Sequence, residues 1–253
     1  MSIQNRFKGQ VAIVAGGARG IGGAIASRLA SEGALVAILD INNQALKARV
    51  QEIKDQGNQA LGFEVDLTHE HKLQETIEAI YNLDQRLDVV VNSVGIVGPT
   101  GISIIDYPVD QFERVMDINV LGAFLLTRHC IPHMLKRNYG RVLHLASIGG
   151  KDGNPNMVGY ATSKSALIGL VKGVGKEFAE TGITINGLAP AVIATEMNLD
   201  TDPGVLKYMA DKIPMKRLGT VEEAAAISCW IVSEEASFNT GFVFDLSGGR
   251  AVY

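Results

Sequence analysis

The chain has 253 residues, enough for one large α/β domain, and its 47% apolar and 20% charged residues allow a sizeable core. A net charge of −4 without a long run of either sign excludes the basic stripe of a nucleic-acid-binding surface, and no long apolar run is present to span a membrane. The two cysteines, Cys130 and Cys229, fit no metal spacing and read as buried thiols. No metal is expected, and with no signal-like segment at the start the expected location is the cytoplasm.

The first strand candidate is "VAIVAG" at 11–16, apolar throughout rather than alternating, as in a parallel sheet covered on both faces. "AGGARGIGGAIA" follows, with Gly16, Gly20 and Gly22 in the spacing G-x-x-x-G-x-G at the opening of a helix over 20–31. Glycine lets the chain approach a ligand closely, and the helix N-terminus offers unpaired N–H groups to a pyrophosphate. Arg19 and Ile21 sit within this loop. The second strand, 34–40, ends on Asp40. A carboxylate there can accept both ribose hydroxyls of an adenosine and repels a 2′-phosphate, so NAD is expected rather than NADP. The structural alternative for Asp40 is a turn or helix-cap aspartate, and Arg19 would offset part of the repulsion. After a helix at 43–56, the strand 60–66 ends on Asp66, placed to meet an adenine amine with Leu67 beside it. A helix at 69–84 leads to the strand 87–93, where Asn92 and then Gly95 are expected to line the middle of the cofactor.

A helix over 110–136 carries Asn119 in line with Phe112, Met116, Ala123 and Thr127, a largely apolar stripe. A polar group there needs a partner, and it can hold a water linking Lys164 to solvent. Ser147 follows the strand 140–146, at the edge where α/β sheets bind ligands, and its hydroxyl can hold a substrate oxygen. The helix 157–179 places Tyr160 and Lys164 four residues apart on one face. A free tyrosine has a pKa of about 10, and a neighbouring ammonium is expected to lower it. Tyr160 then becomes a base for a substrate alcohol while hydride leaves the carbon. Singly, each of these residues has an ordinary packing or capping role; together, behind a nucleotide loop, they point to catalysis. The strand 183–189 is followed by a long insertion, 190–220, with a short helix near 204–211, read as a substrate lid. A helix at 221–234 and a strand at 241–247 close the chain. The β-α alternation without a linker or repeat gives one domain, 1–253, an α/β doubly wound Rossmann fold with helices on both faces.

The loop Gly16-x-x-x-Gly20-x-Gly22, "NSVG" at 92–95, Asn119, Ser147 and Tyr160-x-x-x-Lys164 closely resemble the short-chain dehydrogenase/reductase family over essentially the whole chain. By that likeness Asn119, Ser147, Tyr160 and Lys164 form a catalytic tetrad, and Tyr160 and Lys164 also touch the cofactor. "PAVIAT" at 190–195 resembles the segment that meets the nicotinamide carboxamide, which implicates Pro190, Ile193 and Thr195. Ala15, "NSVG" and Ala191 depart from the usual threonine, Asn-Asn-Ala-Gly and glycine. The family implies a seven-stranded parallel sheet in the order 3-2-1-4-5-6-7 and a homotetramer built on the two long helices. Ala161, Ser163, Ala166, Gly169 and Gly173 are small enough for close helix approach, and the apolar tail "GFVFDLSGGRAVY" is expected to pack against a neighbour.

A pocket with Ser147, Lys151, Asn154 and Asn156 is polar for a steroid or long acyl chain. The tail "SGGRAVY" is similar to that of bacterial sugar and sugar-acid dehydrogenases of the family, some of which oxidise the 4-hydroxyl of 2-keto-3-deoxy sugar acids. The expected partner is thus a small-molecule substrate, its carboxylate anchored by Lys151 or the partner subunit's Arg250, with Tyr160 at the reacting oxygen. The alternative is a 3-oxoacyl-carrier-protein reductase, which usually prefers NADPH, so Asp40 counts against it. A non-catalytic NAD-binding regulator or scaffold is the alternative of another class; loss of Tyr160 or Lys164 would have favoured it, and both are present.

Overall fold

The protein, as a computed structural model, is described over residues 5–195 and 203–251. Seven strands form one parallel sheet in the order β3-β2-β1-β4-β5-β6-β7. They are β1 (Val11–Ala15), β2 (Leu35–Asp40), β3 (Gln59–Glu64), β4 (Val89–Asn92), β5 (Gly140–Leu145), β6 (Ile183–Pro190) and β7 (Val243–Leu246). The apolar runs are continuous because both faces are covered. Ala12, Val14, Val36 and Ile38 pack beneath α1 (Gly20–Ser31), α2 (Asn43–Asp55) and α9 (Val221–Ile231). The alternate residues Val11, Ile13, Ala37 and Leu39 pack on the other face beneath α3 (Glu70–Asp84) and α5 (Gly122–Leu135). Both cysteines are fully buried, and burial pushes their thiols up, that of Cys229 to about 12.

Register aligns the functional strand ends. Ala15 stands opposite Leu39 and Asn92, and Asn92 opposite His144. Strand order reverses between β1 and β4, which opens the crevice where such sheets bind ligands.

Three elements differ from the sequence expectation. The helix expected over 110–136 is α4 (Val109–Met116), a π turn at Asp117–Leu121, and α5. Asp66 lies two residues beyond β3, because its Oδ1 accepts from the Thr68 N–H at 2.9 Å and hydroxyl at 2.8 Å and closes a turn instead. A short α6 (Gly149–Asp152) precedes α7 (Val158–Glu177). In the insertion, residues 196–202 lie outside the described residues, and α8 (Pro203–Asp211) follows. Its base is pinned where Ala194 N–H donates to Gly219 O at 2.8 Å and Gly219 N–H to Val192 O at 3.1 Å. No helix among the described residues is long and apolar enough to cross a membrane.

Candidate active site

The glycine loop is built for close approach. Gly16 and Gly20 hold φ of +70° and +53°, and a Cβ on Gly22 would collide with the Gly16 carbonyl oxygen, so α1 starts directly on the loop. Arg19 precedes α1 in extended conformation and caps nothing with its side chain. The first-turn N–H groups are therefore left for a ligand. The loop is secured although Ala15 lacks a hydroxyl. Gly16 N–H donates to Leu39 O and Ser93 N–H to Ala15 O, both at 2.8 Å, and Ala18 N–H donates to Asp40 Oδ2 at 3.2 Å.

A cavity of about 1170 Å³ runs from this loop along the strand ends. Gly16, Arg19, Gly20, Ile21, Asp40, Asp66, Leu67, Gly95, Pro190, Ile193 and Thr195 line it, as do Ser147, Asn154, Tyr160, Lys164 and Arg250. Asp40 also receives the Asn42 N–H at 2.9 Å, so it is a turn aspartate and a wall residue at once; its oxygens keep lone pairs for further donors. Burial pushes the Asp66 carboxyl up, but the two bonds from Thr68 outweigh it and hold it below the usual range. The backbone cradle, the uncapped helix and the carboxylate at the second strand fit a dinucleotide. Gly22, Asn92, Asn119 and Lys151 do not line the cavity. Gly22 and Asn92 support its wall from behind. Sequence reasoning missed Ile96, Val97, Met157 and Met209 on the wall, because apolar loop residues carry no pattern of their own.

The candidate reactive groups Ser147, Tyr160 and Lys164 meet on one wall of the cavity. β5 ends just before Ser147, whose Oγ accepts from the Gly149 N–H at 3.0 Å as α6 begins and also hydrogen-bonds Tyr160. The first two turns of α7 bring Tyr160 and Lys164 to the same place. The Lys164 ammonium is buried, donates to Leu145 O at 2.7 Å and lies 5.8 Å from the centre of the Tyr160 ring. Burial pushes Lys164 down to about 8. The expected lowering of the phenol is not what the chain by itself produces: burial raises Tyr160 above its ordinary value, and the Ser147 bond only partly opposes this.

Asn119 sits in the π turn, fully buried. Rather than standing open to a water, its amide accepts from Ile96 N–H at 2.8 Å and donates to Ile96 O and to Ser163 Oγ, both at 2.9 Å. Ser163 passes its own proton to Tyr160 O at 2.8 Å. Asn119 thus ties the loop after β4 to the helix of Tyr160 and Lys164.

At the far end, Lys151 is turned to Asp245, with contacts of 2.9 and 3.0 Å. Arg250 lies on the wall of its own chain's cavity, its Nε donating to Asp152 Oδ2 at 3.2 Å and its Nη2 to Asn154 Oδ1 at 3.5 Å. Of the two expected carboxylate anchors, only Arg250 faces the cavity.

Residues 16–250 match the family model described as "Enoyl-(Acyl carrier protein) reductase". The chain is 41% identical over 248 residues to a 2-dehydro-3-deoxy-L-rhamnonate dehydrogenase (NAD(+)) of Sphingomonas sp. (strain SKA58), covering 98% of each. It is 35% identical over 248 residues to the 3-oxoacyl-[acyl-carrier-protein] reductase FabG of Aquifex aeolicus (strain VF5), covering 96% of this chain and 98% of that one. A crystal structure of NAD+-bound xylitol dehydrogenase superposes with a TM-score of 0.91 at 32% identity, over 96% of this chain and 99% of that one.

Proposed function

The chain belongs to the short-chain dehydrogenase/reductase family, and from that premise we propose that it is an NAD-dependent dehydrogenase of a secondary alcohol on a small sugar acid. The observation that carries this reading is that one cavity is lined by Asp40 and the glycine loop, by Ser147, Tyr160 and Lys164, and by Arg250.

Asp40 would accept the ribose hydroxyls, the loop and the start of α1 would hold the pyrophosphate, and Pro190, Ile193 and Thr195 would meet the nicotinamide end. Bound NAD supplies the hydride acceptor and, in its oxidised form, a positive charge. Tyr160 Oη takes the proton of the substrate hydroxyl, or returns it to a carbonyl in reverse. Ser147 Oγ orients the substrate oxygen and stabilises charge developing there. The Lys164 ammonium, fixed by the Leu145 carbonyl, favours the phenolate. Asn119 holds the loop and helix in mutual position. Arg250 receives the substrate carboxylate in a charge-assisted pair. The insertion carrying α8 covers the substrate, with Met209 and Lys212 reaching the cavity wall. Ala161, Ala166, Gly169 and Gly173 on α7, the exposed Leu121 before α5 and the exposed Phe124 on it suit pairing between subunits of a cytoplasmic homotetramer. Ser163 leaves this set, since it faces inward to Asn119.

The test is formation of reduced nicotinamide from NAD with a panel of 2-keto-3-deoxy sugar acids, neutral polyols and 3-hydroxyacyl thioesters. Turnover of the acids, reduced at least about 10³-fold in Tyr160→Phe with NAD affinity retained, is the expected result. Arg250→Ala should raise KM for the acids by roughly tenfold or more and leave polyols unchanged. Preference for the thioesters would instead favour the 3-oxoacyl-carrier-protein reductase reading, which the Aquifex relative supports and Asp40 opposes. NAD binding without turnover of any substrate would favour a scaffold.

A further inference from the structure

His144 on β5 is fully buried beneath the cavity wall, and nothing in the proposed chemistry uses it. Its ring joins two elements. Nδ1 lies 3.3 Å from the Asn92 Nδ2, and Nε2 lies 3.0 Å from the Thr127 Oγ1. The chemistry of the neighbours fixes its tautomer. Thr127 has one hydroxyl hydrogen, and it goes to Ala123 O at 2.7 Å. Thr127 must therefore accept from His144, which puts the proton on Nε2 and a lone pair on Nδ1. That lone pair takes an N–H from Asn92, whose Oδ1 in turn accepts from Val94 N–H at 3.1 Å. Donor and acceptor roles run in one direction from Val94 to Ala123. Burial and the nearby Lys164 charge also keep the ring neutral.

Asn119, Ala123 and Thr127 follow one another at helical spacing on a single stripe. Asn119 grips Ile96 directly, and Thr127 reaches Val94 through His144 and Asn92. Gly95 lies between these two points, where an added Cβ would stand 3.2 Å from the Lys164 ammonium. Ser93, Val94, Gly95 and Ile96 all line the cavity. We propose that His144 is a positioning residue that holds the turn 92–96 against the cofactor through the relay Thr127–His144–Asn92. Its consequence for NAD affinity rests on the dinucleotide reading above; the hold on the turn does not.

Two measurements on the ligand-free protein test the hold itself. The ¹⁵N shifts of selectively labelled wild-type histidines are expected to show His144 as the Nε2–H tautomer; an Nδ1–H tautomer or an imidazolium at neutral pH overturns the relay. In His144→Leu, the Val94 amide is expected to exchange its hydrogen at least about tenfold faster than in wild type; unchanged exchange in the folded variant overturns it. Calorimetry then tests the consequence. NAD should bind about tenfold more weakly to His144→Leu, the loss expected for one hydrogen bond, and His144→Asn should recover most of it, because its Oδ1 can take the place of Nδ1. Leucine matching or surpassing asparagine would mean that the ring only fills space. Thr127→Val should add little in the His144→Leu background, and full additivity would argue against a shared relay. Absence of NAD binding in the wild type would sink the dinucleotide reading, while the tautomer and exchange results would still decide the relay.

Discussion

Lys164 carries its charge in the interior at a cost in stability. Its ammonium is buried and its folded pKa falls from an ordinary 10.5 to about 8, so between those values the unfolded chain binds more protons than the folded one. Stability therefore rises with pH across that window, and the contribution is absent at neutral pH, where the charge is retained at a cost of about 3 kcal/mol. Lys164→Met is accordingly expected to raise the melting temperature at pH 7 while abolishing turnover, a loss measurable by calorimetry and assay side by side. His144 has the same sign in another window: burial, helped by the Lys164 charge, pushes it from 6.5 to about 4. Its contribution is complete above pH 6.5 and is lost as pH falls toward 4, so the wild type should destabilise over this range more steeply than His144→Asn in urea titrations. Tyr160, raised by burial, must lose its proton to act as a base, and kcat/KM for alcohol oxidation is expected to rise with pH above neutrality. Tyr160, Lys164, Ser147 and Asp40 were legible as candidates in the sequence because they fall together, at strand ends and at helical spacing, behind a glycine loop. His144 was not, since a histidine within an apolar strand has no signature until the strand beside it brings Asn92 opposite.

At the scale of elements, the π turn is the feature that periodicity hid. The largely apolar stripe keeps helical phase from Phe112 to Thr127, so a single helix is the natural reading. The extra residue per turn at Asp117–Leu121 coincides with Asn119 and its three bonds to Ile96 and Ser163. Asn119→Ala would leave both Ile96 backbone groups without these partners. It is expected to destabilise the protein by about 2–4 kcal/mol and to lower kcat, as read by chemical denaturation and steady-state rates. The extent of β3 differs from the expectation for a related reason: Val65 carries an apolar residue on past Glu64, but the Asp66–Thr68 turn competes with the ladder and ends the strand at Glu64.

Across the whole molecule, the parallel sheet brings distant stretches to one edge. The C-terminal turn carries Arg250 to Asp152 and Asn154, and Asp245 holds Lys151. This is why adjacent residues of α6 are drawn toward the chain terminus; both cations are ion-paired, but only Arg250 also lines the cavity. Added Cβ atoms at Gly169 and Gly173 would meet nothing within 4 Å, so this stretch of α7 is a flat face suited to another helix. If the proposed tetramer uses it, Gly169→Glu should shift sedimentation toward smaller species while leaving the NAD cradle intact.

The sequence alone determined the layered α/β architecture, the strand order carried by the family likeness, and the candidate reactive groups, because periodicity, glycine spacing and a tyrosine–lysine pair are local properties. Only the tertiary structure decided which polar groups face the cavity and which support it from behind. That choice separates Arg250 from Lys151 and makes Asn92, His144 and Asn119 a scaffold. Its physical reason is that a buried polar atom is defined by the partner that satisfies it, and those partners lie on other strands and helices.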